Sequence, residues 1–293
     1  MTRLFDPRVK LEAFTRTKTI TIKDLYMDFS VTATTDSKPN LATISIYNLS
    51  AETRNLLSEQ HLGMNFYAGY GDDSSIIFRG TTTNVLHERD GTEWRTDIYS
   101  GDGQKEIATN FFSRSYTAGT KVKTIIRDMA TAMGYVPNDD VVLETDTLLK
   151  GASYSGRVKD CLDKVTKDFD YSWSIQWGTL EILDSSGFLG NTATAVVLRA
   201  DTGMVGSPTL IDRTDRNKKI VGVRVTSLLN PAIKPGRLIK IESQSTTTQL
   251  GKLDKKAAAK TDANGIWIAK IVEYSGNNYG GEFKVVVEGD QRA

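Results

Sequence analysis

Ala42-Thr43-Ile44-Ser45-Ile46-Tyr47-Asn48-Leu49-Ser50 reads as a strand running into a helix cap. Apolar and polar residues alternate strictly through Tyr47, which places Ala42, Ile44 and Ile46 on one face of a pleated strand. Ser50 then suits the cap of a helix over Ala51-Glu52-Thr53-Arg54-Asn55-Leu56-Leu57, with Glu52 in its first turn and Gly63 after its end. Later in the chain Val223-Arg224-Val225-Thr226-Ser227-Leu228-Leu229 repeats the alternation of Ile44–Ser50.

The match extends in order along both segments. Gly63-Met64-Asn65-Phe66-Tyr67 answers Gly236-Arg237-Leu238-Ile239-Lys240, and Ile76-Ile77-Phe78-Arg79 answers Ile266-Trp267-Ile268-Ala269. The hairpin at Asp90-Gly91 answers Asn277–Gly281, and Tyr99-Ser100-Gly101 answers Val287-Glu288-Gly289. The differences fall between strands, where connections tolerate them. The capped helix 51–62 faces the shorter Asn230-Pro231-Ala232-Ile233-Lys234-Pro235, and the polar stretch 243–264 is extra in the second copy. A structural duplication is expected, with Ile44 over Val223 and Gly63 over Gly236.

Further strands are predicted at 19–22, 27–33, 64–70, 75–79, 83–88 and 93–99, and again at 196–199, 220–228, 237–242, 266–274 and 282–288. The 34 Thr and 24 Gly against 6 Pro fit a chain of short strands and tight turns. Between the copies the period changes. Thr120 is read as the cap of a helix with Val122, Ile125, Ile126, Met129 and Met133 on one face and Gly134 as its stop. Ser155 is read as the cap of a second, with Val158, Cys161, Leu162, Val165 and Phe169. A hairpin, 172–176 and 179–183, turns at Trp177-Gly178. The expected fold is mainly β with an α+β insert: two tube-like β-barrel domains, 1–102 and 191–293, flanking a helix–hairpin domain, 103–190.

Composition narrows the chemistry. Thirty-seven Lys and Arg against 36 Asp and Glu leave a net charge of +1, unlike a dedicated nucleic-acid binder. One cysteine and two histidines exclude a disulfide framework and a Cys- or His-rich zinc site. Met1–Lys10 has no apolar run of signal-peptide length, and no window approaches 18 apolar residues, so a soluble chain with no membrane insertion is expected. No catalytic, cofactor or metal site is assigned. Neighbouring His87 and Glu88 point to opposite faces of a strand, Cys161 lies in an apolar helix stripe, and Asp139-Asp140 lacks the D-x-D-x-D-G calcium spacing. Trp173 and Trp177 are read as packing on the two helices. Two features remain as interaction candidates: the basic run Arg213, Arg216, Lys218 and Lys219, read as a solvated loop, and the long polar loop 243–264, read as mobile with a single helical turn. In that loop Thr246, Leu250, Lys252, Lys255 and Lys256 are the candidate partner contacts.

The run Ile44–Leu57, the step Gly71-Asp72-Asp73…Ile77-Phe78-Arg79-Gly80 and the stretch Ser227–Gly236 resemble the baseplate hub proteins of contractile-tailed bacteriophages. The similarity is diffuse and spans nearly the whole chain, and the spike proteins of type VI secretion share its plan. The resemblance implies a virion protein assembled in the bacterial host cytoplasm. It implies a homotrimer of two tube-like domains per chain, six-fold towards the tail tube or tube-initiator protein and three-fold towards the central spike. The tape-measure protein and other baseplate chains are further candidate partners, and DNA would pass through without its sequence being read. The rival readings are a tail-associated peptidoglycan hydrolase, which needs a catalytic carboxylate or metal set in a cleft, and a glycan-binding tail module, which needs exposed aromatics.

Overall fold

The computed structural model describes residues 6–15, 17–59, 62–103, 107, 109–137, 146–148, 150–184, 187–190, 192–215, 218–249 and 262–291. Both β-rich flanks belong to one sheet. The first contributes β1 (Pro7–Phe14), β2 (Thr19–Ile22), β3 (Met27–Thr34), β4 (Asn40–Tyr47), β5 (Gly63–Tyr70), β6 (Ser75–Asp90) and β7 (Glu93–Asp102). The second contributes β13 (Val196–Leu198), β14 (Met204–Asp215), β15 (Lys218–Leu228), β16 (Leu238–Ile241), β17 (Thr247–Gln249), β18 (Gly265–Asn277) and β19 (Phe283–Gln291). The main path runs β17-β14-β15-β19-β18-β3-β4-β7-β6-β5-β1-β2, with β16 on β18 and β13 on β16. The fold is mainly β with an α+β insert, as the sequence predicts. The two flanks meet where β3 pairs antiparallel with β18, from Ile271–Thr34 to Asn277–Asp28. Among the described residues no strand pairing closes either flank on itself.

The flanks share one strand order. In the first, β3, β4, β7, β6 and β5 lie side by side; in the second, β14, β15, β19, β18 and β16 do. Both carry a register shift at the same place in the long hairpin. It falls between Thr82 and Asn84 opposite Ser100 and Tyr99, and between Ala269 and Ile271 opposite Gly289 and Glu288. Aligning the two bulges sets Ala42 against Val223 and Ile44 against Val225, because Ser100 pairs with Ala42 and Gly289 with Val223. Gly63 likewise corresponds to Leu238. The sequence match to Val223 and Gly236 was therefore two residues short. A slip of two leaves every side chain on its own face, so alternation cannot detect it. The outer strand differs between the copies: β1 runs antiparallel to β5, while β13 runs parallel to β16.

Several strands depart from the sequence reading, β1, β6 and β14 of the large sheet among them. β1 is a strand that its charges conceal in the sequence, with Val9, Leu11 and Ala13 alternating inward. β6 is one long strand across the expected break at Gly80. A Cβ there would stand 2.7 Å from the Gly101 carbonyl oxygen, so glycine lets β6 lie close against β7. β14 replaces the expected loop around Arg213; Gly206 and Pro208 hide its alternation beside a bulge between Val205 and Thr209.

The helix α1 (Ala51–Leu57) is capped as expected, the Thr53 amide donating to Ser50 Oγ at 3.1 Å. The insert contains α2 (Val122–Met133), α3 (Val158–Asp168), a β8–β10 pair (Phe111–Tyr116, Ala152–Arg157) and the hairpin β11–β12 (Tyr171–Gln176, Thr179–Asp184), with β9 (Val136–Pro137) beside β12. Gly134 ends α2 in the left-handed region, φ 83. The predicted caps are corrected: Thr120 Oγ1 donates to the Thr117 carbonyl, and Ser155 lies within β10. Main-chain carbonyls take over their task, Asp146 O accepting from the Val122 amide and Asn110 O from the Val158 amide, each at 2.9 Å. The insert has its own core, around Ile125, Met129, Leu162, Val165 and Trp173. The large sheet's core runs through both flanks.

Candidate interaction surface

The seam between the flanks is apolar and tied at its ends. Phe29 of β3 packs on Phe66 and Phe283 at ring separations of 5.0 and 5.7 Å, and Tyr70 OH donates to the Phe283 carbonyl. Asn278 accepts from the Met27 amide and donates to the Leu25 carbonyl, at 2.9 and 2.8 Å. Val272 and Tyr274, on the stretch of β18 that receives β3, are fully buried. Burial drives the Tyr274 phenol far above its ordinary pKa, and its hydroxyl donates to the Ile233 carbonyl.

The corresponding stretch of β6 is uncovered. Its residues 84–90 pair with β7 on one side, and among the described residues no strand lies on the other. Val85 and His87, at the places of Val272 and Tyr274, are only half-buried. His87 Nδ1 lies 3.0 Å from Thr96 Oγ1 and Nε2 lies 2.9 Å from Ser58 Oγ. Burial and the Arg54 charge hold the ring's pKa below its usual value. At the opposite end of the sheet β14 is covered by β17, a parallel strand of three exposed residues set against Thr209–Ile211.

The face of the sheet turned away from the core is polar and charge-balanced. Ser45 Oγ donates to Asp97 at 2.6 Å, and Arg95 bridges Asp97 and Glu88 at 3.0 and 3.2 Å. In the second copy Arg213 bridges Glu288 and Asp290 at 3.1 and 2.7 Å, and Arg224 also reaches Glu288. Leu41, Leu86 and Tyr99 are exposed on that face of the first copy. The expected basic run is thus divided. Arg213 is half-buried between carboxylates, not part of a solvated loop, and the main chain of Lys218 and Lys219 opens β15. Arg216 lies outside the described residues, as do Leu250, Lys252, Lys255, Lys256, Asp139 and Asp140. Of the candidate contact loop, Thr246 is placed: it is exposed and donates to Asp262 at 3.3 Å. The loop's stems are tied by Ser243–Asn264 and Ser207–Ser245 hydrogen bonds, and β17, which alternation could not reveal in so short a polar stretch, joins it to the sheet.

The insert docks by polar contacts. Asn40 Nδ2 donates to the Ile175 carbonyl and to Gln176 Oε1 at 2.9 and 3.0 Å, while Gln176 Nε2 reaches the Thr34 carbonyl. Trp173 is buried on α3, its Nε1 donating to Asp163 at 2.8 Å. Trp177, in the left-handed region at φ 52, lies instead under the Lys234 ammonium. Cys161 is buried, which raises its thiol pKa. No group of three metal-ligating side chains occurs among the described residues, and no helix there is long and apolar enough to cross a membrane.

The family model described as baseplate hub gp41 matches residues 8–247. The chain belongs to that family. It is a structural protein of the bacteriophage tail baseplate. No curated protein sequence matches the hub chain. Among solved structures it is similar to the 43 kDa tail protein of prophage MuSo2 from Shewanella oneidensis, at 8% identity, TM-score 0.63 and 98% coverage of both chains. It is also similar to a tail protein from Neisseria meningitidis MC58, at 7% identity and TM-score 0.64, covering 98% of this chain and 97% of that one. A third is the Escherichia coli c3393 protein, a type VI secretion component, at 10% identity and TM-score 0.55, covering 99% of this chain and 76% of that one. At such identities these structures share the fold.

Proposed function

We propose that the chain is the trimeric hub of the baseplate, adapting a six-fold tail tube to a three-fold spike around the conduit for DNA. The observation that carries the reading is the repeat of one strand order, bulge included, within a single chain. Three chains then supply six like β units, a closed cyclic assembly of about 97 kDa at 32.3 kDa each. The copies differ where α1 stands against the short turn 230–235, so one face of the ring alternates between two kinds of unit. That alternation reduces six-fold symmetry to three-fold. On this reading the chain comprises tube-like units 1–102 and 191–293 with an intermediate unit 103–190. The tube or its initiator, the spike, the tape-measure protein and other baseplate chains are its neighbours, and residues 246–256 and the positively charged stretch 213–219 are candidate contacts. The charge-balanced polar face suits a lumen that lets DNA pass without gripping it, since affinity for the phosphate backbone needs a basic excess. The role is symmetry adaptation without catalysis.

The test is the stoichiometry of purified particles by quantitative mass spectrometry against a capsid protein of known copy number. Three hub chains per tail are expected; six, or one, would overturn the reading.

A further inference from the structure

The chain contains one copy of the joint that a ring needs and the two unmatched halves of another. In the seam that exists, β3 lies on the 271–277 stretch of β18. Bulge alignment makes β14 the counterpart of β3, and residues 84–90 of β6 the counterpart of that β18 stretch. The β6 stretch is uncovered, and the matching edge of β14 carries β17. We propose that β17 is a removable edge cap, and that in the assembled hub the β14 edge it covers pairs with β6 of a second copy of this chain. The inference rests on the trimeric reading and specifies its joint.

Carrying the seam register across gives antiparallel pairing of Asn84–Glu88 with Thr209–Arg213 of the neighbouring chain. Leu86 then stands opposite Ile211, and His87 opposite Leu210. Two of the pairs agree in side-chain placement, and Val85 falls opposite Asp212. Leu210 is buried and His87 turns to the same core-facing side, while Leu86 and Ile211 meet on the other face. Within the chain Ile211 has polar Gln249 as its cross-strand neighbour. In the joint it gains Leu86, an exposed apolar side chain, and cross-strand apolar pairs stabilise sheets. Val85 and His87 would become as buried as Val272 and Tyr274. The direction of the joint is heterologous, β6 of one chain to β14 of the next, so repetition either closes a ring or grows a filament. An open β edge invites unwanted pairing, and a short polar strand is a means of covering it. β17 is only three residues long, all exposed, so it yields to a longer partner.

The joint predicts a specific cross-link. Cys161 is buried, leaving Leu86→Cys and Ile211→Cys as the accessible thiols of a double variant. Opposed strand residues stand about 4.5–5.5 Å apart, whereas a retained β17 would hold β6 and β14 near twice the ~4.8 Å strand spacing. The full chain is oxidised at graded concentrations, with β17 intact and with β17 opened by Thr247→Gly, Thr248→Pro and Gln249→Gly. Covalent dimers and trimers are expected from the double variant and heterodimers from mixed single variants. Opening β17 should raise the yield by on the order of tenfold, as expected when a competing conformer is removed. Equal yields in both backgrounds would show that β17 is no cap, and a link formed within one chain would place the two strands wrongly. No link in either background would overturn the joint; if particles then still hold three copies, the trimeric reading survives, and if they do not, both fall. Glu88→Cys with Thr209→Cys repeats the test in the same register should the first pair disturb folding.

Discussion

Protonating His87 works against the fold. Its pKa is held down chiefly by burial and then by the Arg54 charge, so the unfolded chain binds the proton more readily than the folded one. Stability tied to the neutral ring is therefore complete above the unfolded value, about 6.5, and is lost as pH falls below it. His87→Gln should lose less stability than the parent between about pH 7.5 and 5.5, read as the shift in urea midpoint. Identical shifts would show that burial and the Arg54 charge do not hold the ring's pKa down. Tyr274 gives a second test. Its replacement by Phe leaves the Ile233 carbonyl without its donor in the core, at a cost of about 1–3 kcal/mol. A denaturant midpoint unchanged in Tyr274→Phe would contradict that bond. These two residues occupy equivalent places in the two copies, yet neither partner set was legible in the sequence. Period two tells which face a residue takes, while the hydroxyl or carbonyl it meets depends on which strand lies alongside.

At the scale of elements, legibility followed the strength of the repeating pattern. The apolar stripes of α2 and α3 fixed both helices, and Gly134 fixed an end, because a left-handed residue there favours glycine. The caps at Thr120 and Ser155 do not form, since the first helical amides, of Val122 and Val158, donate to the carbonyls of Asp146 and Asn110 and the N-cap positions fall to Lys121 and Arg157. Ser50 caps because it stands directly before the helix in extended backbone and its hydroxyl accepts from the Thr53 amide. Ser50→Ala should cost about 0.5–2 kcal/mol and loosen α1 with little effect on the insert. Amide exchange that stays slow through 51–57 in that variant would contradict the cap. The register error between the copies has a different origin. It needed the two bulges, and a bulge leaves little trace in a pattern of alternating residues.

For the whole molecule, the repeat in strand order was legible, and the joining of its copies into one sheet was not. Phe29 lies in β3 but packs on Phe283 of β19, so the core of the first copy is completed by the second. Phe29→Ala should destabilise the chain by about 3–5 kcal/mol. It should also lower exchange protection in β3–β4 and β18–β19 together, while α2 and α3, with their separate core, keep theirs longer. Loss confined to the first copy would mean that the flanks fold as independent units. A seam inside the chain also explains how a hub could form from three copies: one joint of each pair is built covalently in place, and only the other must assemble. The most direct measurement is a reconstruction of the assembled tail without imposed symmetry, at a resolution that separates strands. The account predicts three hub chains, with β3–β18 seams inside chains and β14–β6 joints between chains alternating at six like stations around the axis. Any other number of chains, or repeats that occupy unlike stations, would contradict it.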